Sequence, residues 1–294
     1  MKKNFKYYIL ACFAIFVWGI SLVSTKVLLG NGFTPNIITF FRFFIAWLVI
    51  LIFQKRSTEH IKKGDQKYFS FLAVTGISLF YFFENIGLKY TTVANTSLIT
   101  ATIPLFTLLT AYFFYKKKLV TQNWIGIILS LTGSFLLFYK DIIHSSIHLK
   151  GDILVFGSVI MWISYSFIYK TLMNKYSASF IIRKIFLYAI IFLIPLIIFD
   201  LKSIVSINWE LNVIMHLLFL SVICSYLGYY FWNIAIKKIG VKIISNLILF
   251  IPVVSISTGI IFLSEPFTWN LIYSAILIIS GAYFTSISEE EHKF

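Results

Sequence analysis

Residues 18–26 read WGISLVSTK, and residues 162–170 read WISYSFIYK. Trp18 aligns with Trp162 and Lys26 with Lys170, both at a shift of 144. Further along, the echo continues at a shift of 148: Asn85 with Asn233, Lys89 with Lys237, Ser97 with Ser245, Pro104 with Pro252 and Gly133 with Gly281. The change of shift marks a short insertion. Apolar stretches match each other by chance at Leu and Ile; Trp, Asn, Lys, Ser and Pro do not recur in order by chance. The chain is therefore expected to hold two repeated units, 1–144 and 145–294.

Both copies of the motif lie inside long apolar runs. Crossing a bilayer takes about 20 apolar residues in a helix. The runs of that length are Tyr7–Leu29, Asn36–Phe53, Lys67–Leu88, Val93–Tyr115, Gln122–Tyr139, Gly151–Leu172, Ala178–Phe199, Leu211–Ile236, Ile243–Ser264 and Thr268–Ser286. The first is longer than a signal peptide's apolar region and ends without a small-residue cleavage site. The expected fold is an all-α integral membrane protein of ten spans, five per unit, in one membrane domain. An odd number of spans per unit places the two units in opposite senses across the bilayer. Inverted repeats of this kind give one fold two near-equal arrangements, open to either side.

Composition agrees. Of the 294 residues, 59% are hydrophobic and 12% charged, too little charge to cover a soluble surface. The net charge of +14 would suggest nucleic acid in a soluble protein; here the basic residues act as topology signals and no nucleic-acid partner is expected. With the N-terminus inside, sixteen Lys and Arg fall in inner segments, four in outer ones and five within spans. Both termini are thus expected in the cytoplasm, at the cell membrane. Cys12 and Cys224 lie in separate apolar runs, and the five histidines are scattered, so no disulfide framework, metal site or cofactor is expected. No Walker-type phosphate loop is present.

The repeated motifs resemble the drug/metabolite transporter superfamily and, within it, the EamA-type family. In the first unit the resemblance rests on Trp18-Gly19, Lys26, Pro35, Arg42-Phe43, Gly87 to Thr91, Pro104 to Thr107, Trp124 to Gly126 and Gly133. In the second it rests on Gly151-Asp152, Trp162, Tyr165, Lys170, Asn233 to Lys237, Pro252-Val253, Glu265 and Gly281. The resemblance implies a ten-helix carrier of small metabolites, most often an exporter, with the solute path between the first, third and fourth spans of each half. The fifth and tenth spans are expected at the periphery. One position departs from the family: Glu265 keeps the acid that follows the fourth span of a half, but Lys117 stands at its mate.

Ionisable groups inside a bilayer are costly, about 2.5–3.5 kcal/mol on insertion scales, and mark function by default. Glu84, Lys26 and Arg42 fall at similar depth near the outer side. Glu84 is expected to pair with Lys26 or Arg42, either as a coupling group or as a structural ion pair. Polar stripes at helical spacing are expected to line the path: Trp18, Ser21 and Thr25; Ser97 and Thr100; Trp162 and Tyr165; Tyr229 and Asn233; and Ser245, with Asn85 beside Glu84. Packing through small polar residues is the competing use of the hydroxyls. Pro104 and Pro252 are candidate hinges. Gly126, Ser130 and Gly133 form a small-residue face suited to close packing or to a homodimer contact.

The function expected is secondary transport of an amino acid or related organic solute by alternating access, as an exporter. The alternative is a passive facilitator or importer of the same fold. An intramembrane enzyme would need a nucleophile–base pair or buried ligand cluster, and none appears. A non-transporting receptor would have no use for inverted repeats with polar interiors.

Overall fold

The computed structural model describes residues 5–54, 58–116, 118–143, 147–239 and 247–287. Among these residues every element is helical. In chain order the helices are α1 Phe5–Gly30, α2 Pro35–Phe53, α3 Gln66–Tyr90, α4 Val93–Phe114, α5 Thr121–Tyr139, α6 His148–Met173, α7 Ala178–Val205, α8 Leu211–Ala235, α9 Ile248–Leu263 and α10 Trp269–Thr285. The first eight are long and apolar enough to cross a membrane, and the last two are shorter apolar helices. The chain is a multi-pass membrane protein. The two sides are named here by the ends of α1, the Phe5 face and the Gly30 face.

Helix ends follow their sequences. Pro35 opens α2 with its ring where no backbone donor is needed, and Thr34 caps it by accepting from the Ile37 N–H. Thr92 caps α4 through the Asn95 N–H at 2.9 Å. Two loops are fastened across the molecule. On the Gly30 face Asp200 accepts from Thr34 (2.6 Å) and Asn36 (2.9 Å). On the Phe5 face Asp65 takes Lys175 (2.8 Å) and the Tyr176 hydroxyl (2.9 Å), which itself accepts from the Lys62 N–H.

Lipid tails are as apolar as leucine, so helices associate in a bilayer through close fit. Glycine supplies that fit. A Cβ on Gly126 would stand 2.7 Å from the Gly281 carbonyl oxygen, and one on Gly281 would stand 2.5 Å from the Ser130 nitrogen. The small-residue face of α5 is therefore filled by α10 of the same chain. That is the close packing expected of it. Gly87 and Gly151 bring α3 and α6 together in the same way, a Cβ on Gly151 falling 2.8 Å from the Gly87 carbonyl oxygen.

Irregularities recur at equivalent places. Val74–Leu79 in α3 and Phe219–Gly228 in α8 are wound as π-helix. α4 breaks after Thr100 and restarts at Ile103, with Pro104 in its first turn. Ile248–Phe250 is a 3₁₀ turn, and a regular helix follows from Ile251 with Pro252 in its first turn. Lys116 and Ser264, 148 residues apart, both end their helices at φ 53°.

Pairing crosses between halves. α1 packs on α8 and α9, while α6 packs on α3 and the first half of α4. α2 faces α7, and α5 faces α10.

Candidate functional site

The middle of the molecule is aromatic. From α1, Trp18 donates its indole N–H to the Cys224 carbonyl at 3.0 Å and sits edge-on to Tyr229 and tilted against Trp232. From α6, Trp162, Tyr165 and Tyr169 form a continuous stack with centroid spacings of 5.1 and 5.4 Å. The Tyr169 hydroxyl donates to Asn233 at 3.2 Å, and Asn233 donates to its own helix at Tyr229. Tyr165 and Trp18 each rest on a glycine of a π-wound segment. A Cβ on Gly76 would stand 2.2 Å from the Tyr165 ring, and one on Gly228 would stand 2.8 Å from the Trp18 nitrogen. π-turns are frequent at functional sites because they redirect side chains within a helix.

Tyr165 and Tyr229 are partly buried within this aromatic cluster. Two charges accompany them. Arg42 of α2 is 3% exposed and Glu84 of α3 is 9% exposed. Arg42 donates from Nε to the Ser225 hydroxyl at 2.7 Å and lies over the Tyr81 ring at 4.6 Å. Glu84 and Arg42 are within electrostatic reach but share no hydrogen bond.

Toward the Gly30 face Glu265 joins several helices. Its carboxylate accepts from the Val93 N–H (2.7 Å) and the Ala94 N–H (3.2 Å), capping α4 from another part of the chain. It also pairs with Lys26 at 3.2 Å, and Lys26 donates to the Thr91 carbonyl at 2.6 Å. Thr91 in turn donates to Asp152 at 2.6 Å. One carboxylate thus ties α1 and the α3–α4 turn to the end of α9. Val93–Thr100 packs against Ile251–Leu263 on this side. The helical stretch that follows, Ile103–Tyr115, packs on α5, α6 and α10 instead. The described parts of α4 and α9 therefore part toward the Phe5 face.

The sequence pattern of the EamA-like transporter family matches residues 5–139 and again residues 149–287. The chain belongs to the EamA-like transporter family. Relatives within its range include an uncharacterized transporter of Archaeoglobus fulgidus, 28% identical over 96% of this chain and 98% of that one. An uncharacterized transporter of Bacillus subtilis, YyaM, is 27% identical over 96% and 93%. A probable amino-acid metabolite efflux pump of Salmonella typhimurium is 22% identical over 93% and 92%. A crystal structure with 16% sequence identity superposes with a TM-score of 0.65 over 98% of this chain and 100% of the other, a likeness of fold.

In this EamA-like transporter the expected residues separate into two groups. Trp18, Trp162, Tyr165, Tyr229, Asn233, Arg42 and Glu84 gather in the middle. The hydroxyls of Ser21, Thr25, Ser97 and Thr100 turn back onto carbonyls of their own helices at 2.6–3.1 Å. Thr25 and Ser97 are 2% and 0% exposed, so in this conformation they pack within the bundle. Asn85 donates to Thr39 at 3.1 Å and keeps an unpaired carbonyl oxygen. Glu84 was expected to pair with Lys26 or Arg42, and among the described residues it forms an ion pair with neither. Lys26 is held by Glu265, which the chain's return brings to the same face, and Arg42 is the charge near Glu84. Ser245 lies outside the described residues.

Ser225 shares the helical stripe of Tyr229 and Asn233, whereas Tyr81 and Trp232 are site neighbours that the choice of residues above omitted. Tyr81 was within reach of the helical period, three residues before Glu84 on the same face. Trp232 had no such signal, because its position depends on α1 packing against the other half.

Proposed function

We propose that this EamA-like transporter is a secondary carrier working by alternating access across ten spans arranged as two inverted units, 1–144 and 145–294, with both termini in the cytoplasm. The Phe5 face is then cytoplasmic, in keeping with the sixteen basic residues assigned to inner segments. The observation that carries the reading is the aromatic cluster in the middle of the bundle, with Glu265 and Lys26 joining helices at one face while the described parts of α4 and α9 diverge toward the other. The conformation corresponds to an inward-facing state. Support for the inverted units comes from the double family match and from the recurring π segments, helix breaks and left-handed helix ends.

The cargo in this reading is an amino acid or related organic solute, moved outward. The relative named a probable amino-acid metabolite efflux pump supports both parts. Trp18, Glu84, Trp162, Tyr165, Tyr229 and Asn233 line the path, and the helix breaks at Pro104 and Pro252 serve as hinges.

The test is solute counterflow in proteoliposomes. Vesicles loaded with an excess of one unlabelled amino acid, nucleoside or quaternary amine are diluted into its labelled form. A carrier gives a transient accumulation above equilibrium for its substrate. Flux that rises linearly with concentration and never overshoots would replace the carrier by a passive facilitator.

A further inference from the structure

The loops on either side of α2 are each tied to the second sequence unit, and the ties lie at opposite faces. At the Phe5 face the α2–α3 loop meets the α6–α7 loop. Asp65, only 6% exposed, takes Lys175 at 2.8 Å and the Tyr176 hydroxyl at 2.9 Å. That hydroxyl accepts from the Lys62 N–H at 2.9 Å. Glu59 accepts at 3.0 Å from the N–H of Ser177, the cap of α7. At the Gly30 face the α1–α2 loop and the start of α2 meet the end of α7 and the loop after it. Asp200 accepts from Thr34 and Asn36, and the Asn208 N–H donates to the Asn31 carbonyl at 3.2 Å. Gly32, at φ 89°, lies so close that a Cβ on it would stand 2.9 Å from the Ser206 carbonyl oxygen. Between the faces Phe43 of α2 meets Phe186 of α7 edge to face at 4.9 Å, in one buried cluster with Ala46, Ile50 and Ala189.

A contact that gates a carrier is made in one state and broken in the other. Glu265 and Lys26 fit that description: they join helices at the Gly30 face, while the described parts of α4 and α9 part toward the Phe5 face. The ties of α2 to α7 do not fit it. They are made at the face where α4 and α9 part and at the face where Glu265 joins helices, in one and the same conformation. Rocking of unit 1–144 against unit 145–294 as rigid bodies would pull α2 from α7 at one face or the other in each state. At the Phe5 face that would strand a buried carboxylate without its partners, which is strongly destabilising.

We propose that α2 and α7 form a fixed spine, tied at both faces throughout the transport cycle, so that the faces open by movement of other helices against this spine and not by rocking of the two sequence units as rigid bodies. The proposal rests on the carrier reading above and names which part of the carrier stays still.

The experiment uses the full chain with Cys12 and Cys224 replaced by serine. Three double-cysteine variants are linked with a short bifunctional methanethiosulfonate: Asp65→Cys with Lys175→Cys, Asn31→Cys with Asn208→Cys, and, across the gate, Lys26→Cys with Glu265→Cys. Counterflow of a labelled amino-acid mixture is read before linking, after linking and after reduction. Both spine links are expected to leave counterflow at its unlinked rate, and the gate link is expected to abolish it until the reductant is added. Loss of counterflow on linking either spine pair, restored by reduction, would overturn the proposal. Spin labels give a readout that needs no transport. Phe53→Cys with Ser179→Cys and Phe40→Cys with Leu201→Cys read α2 against α7 toward each face, and Tyr90→Cys with Phe267→Cys reads the gate. On introducing Glu265→Gln the gate distance is expected to lengthen while both spine distances hold. Spine distances that change with the gate, or a gate that does not move at all, would overturn the proposal. Absence of counterflow before any linking would remove the carrier reading by itself, and the spin-label distances then decide whether the spine stands.

Discussion

At Gly76 a hydrogen in place of a methyl group decides whether the Tyr165 ring lies where it does. A Cβ there would come within 2.2–2.8 Å of three ring atoms. Tyr165 can retreat only by disturbing its stack on Trp162 and Tyr169. Gly76→Ala is expected to weaken solute binding more than it weakens the fold. Overpacking of this kind costs about 1–3 kcal/mol, and saturation of the thermal-shift response against solute concentration measures how much falls on the site. A second residue-level prediction concerns Asp65, outside the spans. Hydrogen bonds from Lys175 and Tyr176 hold its carboxyl below the ordinary 3.8. A lowered native value means that the stabilisation is fully present above about pH 4 and disappears as the pH falls through the lowered value. Thermal unfolding in detergent is expected to show an acid-side loss that Asp65→Asn lacks. At this scale the sequence marked Trp18, Trp162, Arg42 and Glu84 because intramembrane charges and large polar aromatics are rare and costly. It could not say which charge meets which: Lys26 and Glu84 are at similar depth, but depth leaves the angle around the bundle open.

Helix interiors carry the next layer. The prolines were legible as interruptions, and α4 does break before Pro104, because Pro104 has no N–H to give the Thr100 carbonyl and its ring crowds that carbonyl. The π segments in α3 and α8 were not legible, since the sequence there is as apolar as the helix around it. Their register shift is stabilised by what packs across them, namely Tyr165 and Trp18. The glycine faces read differently again. Gly126 and Gly133 announced a close contact without naming the partner, and the structure supplies Gly281, Ile278 and Thr285 of α10. Gly281→Leu is expected to separate α5 from α10 and lower the thermal midpoint, by the equivalent of about 3 kcal/mol or more given backbone contacts under 3.0 Å that cannot yield. The same change at Gly30, where a Cβ meets nothing within 4 Å, is the control and is expected to be silent.

Over the whole molecule, Glu265 decides which face is shut. It bonds two backbone N–H groups of α4 and the Lys26 ammonium of α1, so opening the Gly30 face breaks charge-assisted contacts in several places at once. Glu265→Gln removes the charge and keeps the shape. Hydrogen bonds to a charged group are worth about 1.5–3 kcal/mol, so the balance between states is expected to shift about ten- to a hundredfold toward opening. Ser97→Cys, placed at a position with no exposed surface in the closed arrangement, reports this through its reaction with an impermeant maleimide from the Gly30 face, with Cys12 and Cys224 removed. An unchanged labelling rate would show that the contact does not hold the face closed. The sequence by itself determined that the chain is a helical membrane protein with a motif repeated in two units, because span length, charge bias and repeated motifs are properties of order along the chain. Only the tertiary structure decided that α1 leans on α8 and α9 while α6 leans on α3 and α4, that Lys26 belongs to Glu265, and that Arg42 meets Ser225 and Tyr81. Those pairings depend on the rotation of each helix about its own axis, and in a bilayer, where any apolar side chain can face lipid or protein at nearly the same cost, close packing between helices sets that rotation.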